Sequence, residues 1–196
     1  MKLAEKKSTT RLKLVDAAGQ SFRANGFAGI GVDAIAKKAG ATSGAFYAHL
    51  GSKGEAFHVA LHAGLNEVID AIPKFQSDHG EAWIDAFAEY YLGKPHRADM
   101  ACGCAMTTLT PDVMRGDKKA REIYEAQMEK IAEQISYGLP EVTTSDRVSH
   151  AWSILQVLIG GLMMARSMLT ESASDRVAET AKNAARLIAT KNQTGE

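Results

Sequence analysis

The stretch Val32–Lys53 reads VDAIAKKAGATSGAFYAHLGSK. Val32, Ile35 and Ala36 share one face of a helix two turns long, which Gly40 ends. Thr42 is placed to cap a second short helix running through His49. Gly51-Ser52 breaks that helix, and Ser52 can cap a long one starting near Lys53. Two short helices joined by Ala39-Gly40-Ala41-Thr42 have helix-turn-helix spacing, with Gly40 supplying the tight turn. Phe46 and Leu50 read as core residues that hold the second helix down. The remaining positions hold small residues and hydrogen-bond donors, which suit a surface rather than a core.

Such a motif presents its second helix to the major groove of DNA. Ser43, Gly44 and Ala45 at its start are small, so that end can approach base edges closely. Tyr47, His49 and Lys53 can donate hydrogen bonds to phosphates. The first amides of the next helix, at Ser52-Lys53, form a second anion site. Phosphate contacts position a protein on the duplex and base contacts specify sequence.

The charge pattern points the same way. The 196-residue chain has 23 Lys/Arg and 23 Asp/Glu, a net charge of zero. Its first 60 residues hold nine of the basic side chains and only four of the acidic ones. A basic module that meets a polyanion, followed by an acidic remainder, fits this asymmetry. Apolar content of 45% supports a packed core, and the four prolines leave room for long helices. No alternating strand pattern and no hairpin turn occur, so the expected fold class is all-α with about nine helices.

The expected helices span about 10–25, 32–39, 42–49, 53–72, 80–92, 100–109, 117–137, 145–169 and 174–191. Leu14, Ala18 and Phe22 form the stripe of the first, with Ser8–Thr10 as caps. Pro73 is expected to end the fourth. The domain boundary falls near Lys53: residues 1–52 are expected to bind DNA and 53–196 to do other work. The N-terminus has no apolar signal segment. The apolar run Trp152–Met168 reads as too short and too polar for a membrane span. Cys102 and Cys104 cannot build a disulfide framework. A soluble, cytoplasmic protein without cofactor is expected.

At this point the sequence resembles the TetR-type (TetR/AcrR) transcriptional regulators. The matching residues are Gly26-Phe27, Val32, Ile35-Ala36, Ala39-Gly40, Thr42, Gly44, Phe46-Tyr47, His49, Ser52-Lys53 and Glu55, at fixed spacing over about 45 residues. The resemblance implies a DNA-binding module of three helices followed by a larger helical domain that dimerises and holds an effector. It places Thr42, Ser43 and Ala45 nearest the bases, with Tyr47, His49 and Lys53 on phosphates. Lys6, Lys7 and Arg11 could add contacts from an N-terminal arm. Gly31 stands where members usually carry Thr or Ser, so a side-chain phosphate contact is lost there. Ser43 stands where Lys, Arg or Pro is frequent, and Leu50 replaces Phe.

Dimerisation through helices near 145–169 and 174–191 follows from the resemblance. Ala151, Ile154, Leu155, Leu158, Leu162 and Ala165 are the apolar face expected to serve it, with Gly160-Gly161 allowing close helix approach. For an effector, Trp83, Phe87, Tyr90, Tyr91, Met106, Met128, Trp152 and Met163 are the candidates, since aromatic and Met-lined cavities suit apolar or planar ligands. The long fourth helix is the expected lever between effector and DNA.

Arg97 with Gly103-Cys104 is similar to a segment of some TetR-type regulators in which a cysteine senses electrophiles or oxidants. An electrophile- or redox-sensing repressor acting through Cys104 is thus an alternative, with His96 and Arg97 as sources of positive charge. Metal binding by Cys102, Cys104 and His96, or by the i, i+4 pair His58 and His62, is another reading. A helical enzyme or ligand carrier is the alternative from a different class. No HExxH, Gly-rich phosphate loop or nucleophile signature supports it. An activator, or a binder without effector, completes the set.

Overall fold

The computed structural model describes residues 2–140 and 143–190, with side chains from residue 7 onward apart from 144 and 145. Eleven α-helices and one 3-10 turn make up the regular structure, and no strand occurs among the described residues. They are α1 (Lys2–Asn25), α2 (Val32–Lys38), α3 (Ser43–Leu50), α4 (Lys53–His79), α5 (Trp83–Leu92), α6 (Lys94–Ala98), α7 (Ala105–Thr108), α8 (Thr110–Arg115), α9 (Lys118–Tyr137), α10 (Thr144–Ser167) and α11 (Glu171–Thr190). The all-α class expected from the sequence is the one observed.

Several bounds differ from those expected, each for a local reason. α1 starts at Lys2, because Lys, Ala, Glu and Leu propagate a helix through the positions expected to cap it. The expected arm is therefore helical; Lys7 and Arg11 are exposed on it, and Lys6 lies outside the described side chains. α4 continues through Pro73 to His79 instead of stopping there. The missing amide of Pro73 costs a hydrogen bond. Its flanks are held by buried Ile72 and by Phe75, whose ring meets Phe87 at 5.3 Å. Pro95 and Pro111 occupy the first turns of α6 and α8, where a fixed φ favours helix, so these short helices stand in segments left between the expected ones. The helix expected over 100–109 shrinks to α7, because Cys104 is extended.

The chain divides into two compact units. The first is Met1–Asn66 with Met100–Ala126, the second Glu67–Asp99 with Gln127–Glu196. The helix-turn-helix and α1 lie wholly within the first.

In the first unit, α1, α2 and α3 pack on one another. Leu14, Ala18, Phe22, Ile35, Ala36, Phe46 and Leu50 are buried there. Phe22, Phe27 and Phe57 form a triangle of rings with centroids 5.5–5.8 Å apart. Fully burying one such side chain is worth about 1.5–3 kcal/mol.

In the second unit, α10 packs along α11, and both meet α5. Ala151, Ile154, Leu155, Leu158, Leu162 and Ala165 are all buried in this chain. This corrects their assignment to a dimer face: the most apolar stripe of α10 is the core of its own unit. By length and composition Asp146–Ser167 is long and apolar enough to cross a membrane, contrary to expectation. Here its apolar side packs against α5 and α11 instead. Polar clamps set the seams. Lys182, buried on α11, donates to Glu89 at 2.6 Å and Glu179 at 2.8 Å, and Arg186 donates to Asp85 at 2.7 Å. Arg166 donates to the carbonyls of His96, Arg97 and Asp99.

Candidate nucleic-acid interface

The turn between α2 and α3 is built by backbone hydrogen bonds. The Ala41 amide donates to the Ala36 carbonyl at 2.9 Å, and the Gly40 amide to the Lys37 carbonyl at 3.0 Å. This pair is a Schellman closure, which needs a left-handed residue, and Gly40 has φ +67°. Thr42 then caps α3: its hydroxyl accepts the Ala45 amide at 3.1 Å. At the far end the Gly51 amide closes on the Tyr47 carbonyl at 2.9 Å. The Ser52 hydroxyl accepts the Glu55 amide at 3.0 Å and starts α4. α3 is thus fixed at both ends within ten residues.

With Phe46 and Leu50 buried, α3 turns its other residues outward. Thr42 and Gly44 are exposed, and Ser43, Ala45 and His49 are half-buried. Tyr47 is 53% exposed, with its ring edge-on to Phe46 at 5.6 Å. Lys53 holds its ammonium 4.7 Å from the centroid of the Phe27 ring, a cation–π contact that orients it. Gly31 precedes α2 in an extended conformation and lends no side-chain cap. Lys37 and Lys38 are exposed on the last turn of α2. One partner of this face was not foreseen: the Ser43 hydroxyl donates to Asp33 in the first turn of α2. A lone carboxylate in a basic stretch carries no sequence signal for such a bond.

Beneath this face, residues 112–120 of the same unit hold α4 and the turn after α1. The Phe27 amide donates to Asp112 at 2.9 Å, across 85 residues of sequence. Asp117 accepts the Ala120 amide at 2.8 Å and the Nε2 proton of buried His58 at 3.0 Å. The Ala120 amide, and then His58, hold the Asp117 carboxyl below the usual carboxylate range. Lys119 closes on Glu55 at 2.8 Å. A cavity of about 390 Å³ opens here, lined by Phe27, Phe57, His58, Asp112 and Arg115.

His58 therefore faces Asp117, while His62 meets Asn66 at 3.2 Å, so the i, i+4 pair is divided. Among the described residues no group of three His, Cys, Asp or Glu could hold a metal.

The effector candidates fall in both units. In the second, Trp83, Phe87 and Tyr91 are buried in a ring series, with centroids 6.4 and 5.7 Å apart, that continues to His96 at 5.2 Å. The Trp83 indole donates to the Gly138 carbonyl at 2.7 Å, and Trp83 lines a cavity of about 490 Å³. Tyr90 is 57% exposed, Met128 is buried and Trp152 half-buried. Met163 is exposed on α10. In the first unit Met106 and Cys104 are buried, while Cys102 is exposed. Arg97 is engaged by Asp175 and by the Ser174 carbonyl. Burial and the Arg166 charge hold His96 below its ordinary range, so it is neutral near pH 7. Neither supplies the unpaired positive charge that a sensing thiol was expected to use.

Residues 14–60, which contain α2, α3 and the start of α4, match the family model for bacterial regulatory proteins of the tetR family. The HTH-type transcriptional repressor SCO4008 of Streptomyces coelicolor is 33% identical over 86 residues. That match spans 44% of this chain and 44% of the relative. The N-terminal segment 14–60 is thus of the tetR-family type. Solved structures agree in fold beyond the matched segment. Escherichia coli NemR in its reduced form is 18% identical, with 89% of this chain and 95% of that chain covered and a TM-score of 0.74. A TetR-family regulator from Cytophaga hutchinsonii is 14% identical, covering 95% and 98%, with a TM-score of 0.78. At such identities the likeness carries the TetR fold and nothing about ligands.

Proposed function

We propose that this chain is a TetR-family transcriptional repressor that binds a palindromic DNA operator as a homodimer and is released by a small-molecule effector. The observation that carries the reading is α3, capped at both ends and presenting donors and small residues outward rather than an apolar stripe. Thr42, Ser43, Gly44 and Ala45 lie at the end that meets base edges. Tyr47, His49 and Lys53, with the Gly31 amide, hold phosphates. A Cβ at Gly44 would meet only the Thr42 hydroxyl, at 3.9 Å, so nothing inside the chain demands a glycine there. A duplex approaching closely does.

Two-fold operators need a two-fold reader, with half-sites about 34–36 Å apart. The outward side of α10 and α11 supports that role. It carries Met163, Met164 and Leu187, all exposed, beside a groove of about 460 Å³ lined by Val157, Gly160 and Val177. The effector reading rests on the aromatic and Met-rich set: Trp83, Phe87, Tyr90, Tyr91, Cys104, Met106, Met128 and Trp152. Residues 1–52 read DNA, 53–196 serve dimerisation and effector binding, and the protein works as a regulator in the cytoplasm rather than as an enzyme.

The test is a gel shift on DNA from upstream of the protein's own gene, paired with sedimentation. A dimer that retards this fragment at concentrations that leave unrelated DNA free is expected. Equal retardation of both fragments would sink the repressor reading.

A further inference from the structure

We propose that Asp33 and Ser43 act as one acceptor unit that reads the amino group of a cytosine in each operator half-site. The inference rests on the DNA-binding reading above and assigns part of its sequence specificity. The starting observation is the hydrogen bond from the Ser43 hydroxyl to Asp33 Oδ1, which joins the start of α3 to the first turn of α2. A hydroxyl has one proton and two lone pairs. Alone, serine can donate to one base and accept from another, so it discriminates weakly. With its proton committed to Asp33, Ser43 can only accept. An ionised aspartate likewise only accepts.

The pair is therefore an edge of lone pairs. Asp33 is exposed, and among the described residues no cation pairs with it. A carboxylate is repelled by phosphate, so this position adds nothing to the general attraction for the DNA backbone. It can gain only from a donor, and the major groove has few. Guanine offers two acceptors there, and thymine an acceptor and a methyl group. Adenine offers a donor beside an acceptor. Cytosine alone offers a donor without a neighbouring acceptor on its own edge. Cytosine N4 is thus the base group that this pair fits best.

Small neighbours make the approach feasible. Gly44 and Ala45 put no long side chain between the start of α3 and the groove floor. Specificity then comes from a short, oriented acceptor pair rather than from a long arginine or lysine.

The experiment is selection from a pool of randomised duplexes with the full-length chain and its variants, followed by affinities for single-base changes. The wild type should select a cytosine at one position of each half-site, and replacing it should weaken binding roughly 5- to 150-fold, the range for one good base contact. Asp33→Ala should erase that preference, keep the others, and bind unrelated DNA more tightly. Asp33→Asn, nearly isosteric, brings a donor beside an acceptor and should move the preference toward adenine. Circular dichroism confirms that each variant is folded. If Asp33→Ala does not fold, the outcome for Asp33→Asn decides alone. A selected motif that is indifferent to Asp33 overturns this inference and leaves the DNA-binding reading standing. A wild type that selects no motif overturns both.

Discussion

The α2–α3 segment and the α10–α11 pair are both tight helix pairs, made by opposite means. In the first, the closing bonds span ten residues at most: Thr42 to Ala45, Gly40 to Lys37, Ser43 to Asp33. Around the second pair the polar contacts come from far away and tie α11 to α5, Lys182 to Glu89 across 93 residues and Arg186 to Asp85 across 101. Glycine shows the same contrast. Gly40 is required by its own backbone angle, and Gly161 by a neighbour. A Cβ at Gly161 would stand 2.4 Å from that of Ala181, while Gly160 next to it faces open space. Local rules shape the surface proposed to meet DNA, and packing between distant segments shapes the rest.

Removing a core ring under the local segment should have the largest effect. Phe22→Ala deletes a side chain with no exposure, which touches Phe27 and Phe57, and should cost about 3–5 kcal/mol in urea denaturation. Local caps alone do not hold such short helices. A loss below about 1 kcal/mol would mean that the segment stands by its turns rather than by its core.

The glycine pair comes next. Gly161→Ala forces α10 from α11 and should cost about 1–3 kcal/mol. Gly160→Ala, free of contact within its own chain, should leave the thermal stability of the subunit unchanged or raise it by up to about 1 kcal/mol through helix propensity. Equal effects would show that the two positions are not divided between inside and outside.

That division also marks the limit of what the sequence discloses. Caps, a stop glycine and a capping serine are local signals, so α2, α3 and the start of α4 are legible to within a residue. The buried Phe46 and Leu50 followed from the same spacing. Nothing local says that Ile154, Leu158 and Leu162 pack inside their own unit, since a core stripe and a dimer stripe share one period. The sequence also hid the bond from Phe27 to Asp112, which depends on where a distant turn lands. Pro73 misled because a proline usually ends a helix from inside, whereas packing on both flanks carries α4 through it.

A smaller effect should appear as pH dependence. His96 is half-buried against the Tyr90 and Tyr91 rings, near the Arg166 guanidinium and Asp99, and its buried Nε2 has no hydrogen-bond partner among the described residues. Burial, and then Arg166, keep its folded pKa below the ordinary 6.5. The unfolded chain therefore takes up this proton first as pH falls. Stability is full well above 6.5 and declines as pH falls through it, so the melting temperature should drop between about pH 7.5 and about pH 5.5. His96→Phe, which keeps the ring contacts, should flatten that slope. An unaltered slope in thermal melts would place the titration elsewhere.

The account rests on the outward face of α3 and the start of α4 holding a DNA backbone. Fluorescence anisotropy on the operator fragment over a salt series tests this most directly. Each of Tyr47→Ala and Lys53→Ala should weaken binding, and for Lys53→Ala the slope of log K against log salt should fall by about 0.9, one phosphate contact. Affinity and slope that match the wild type at every salt concentration, for both variants, would contradict it.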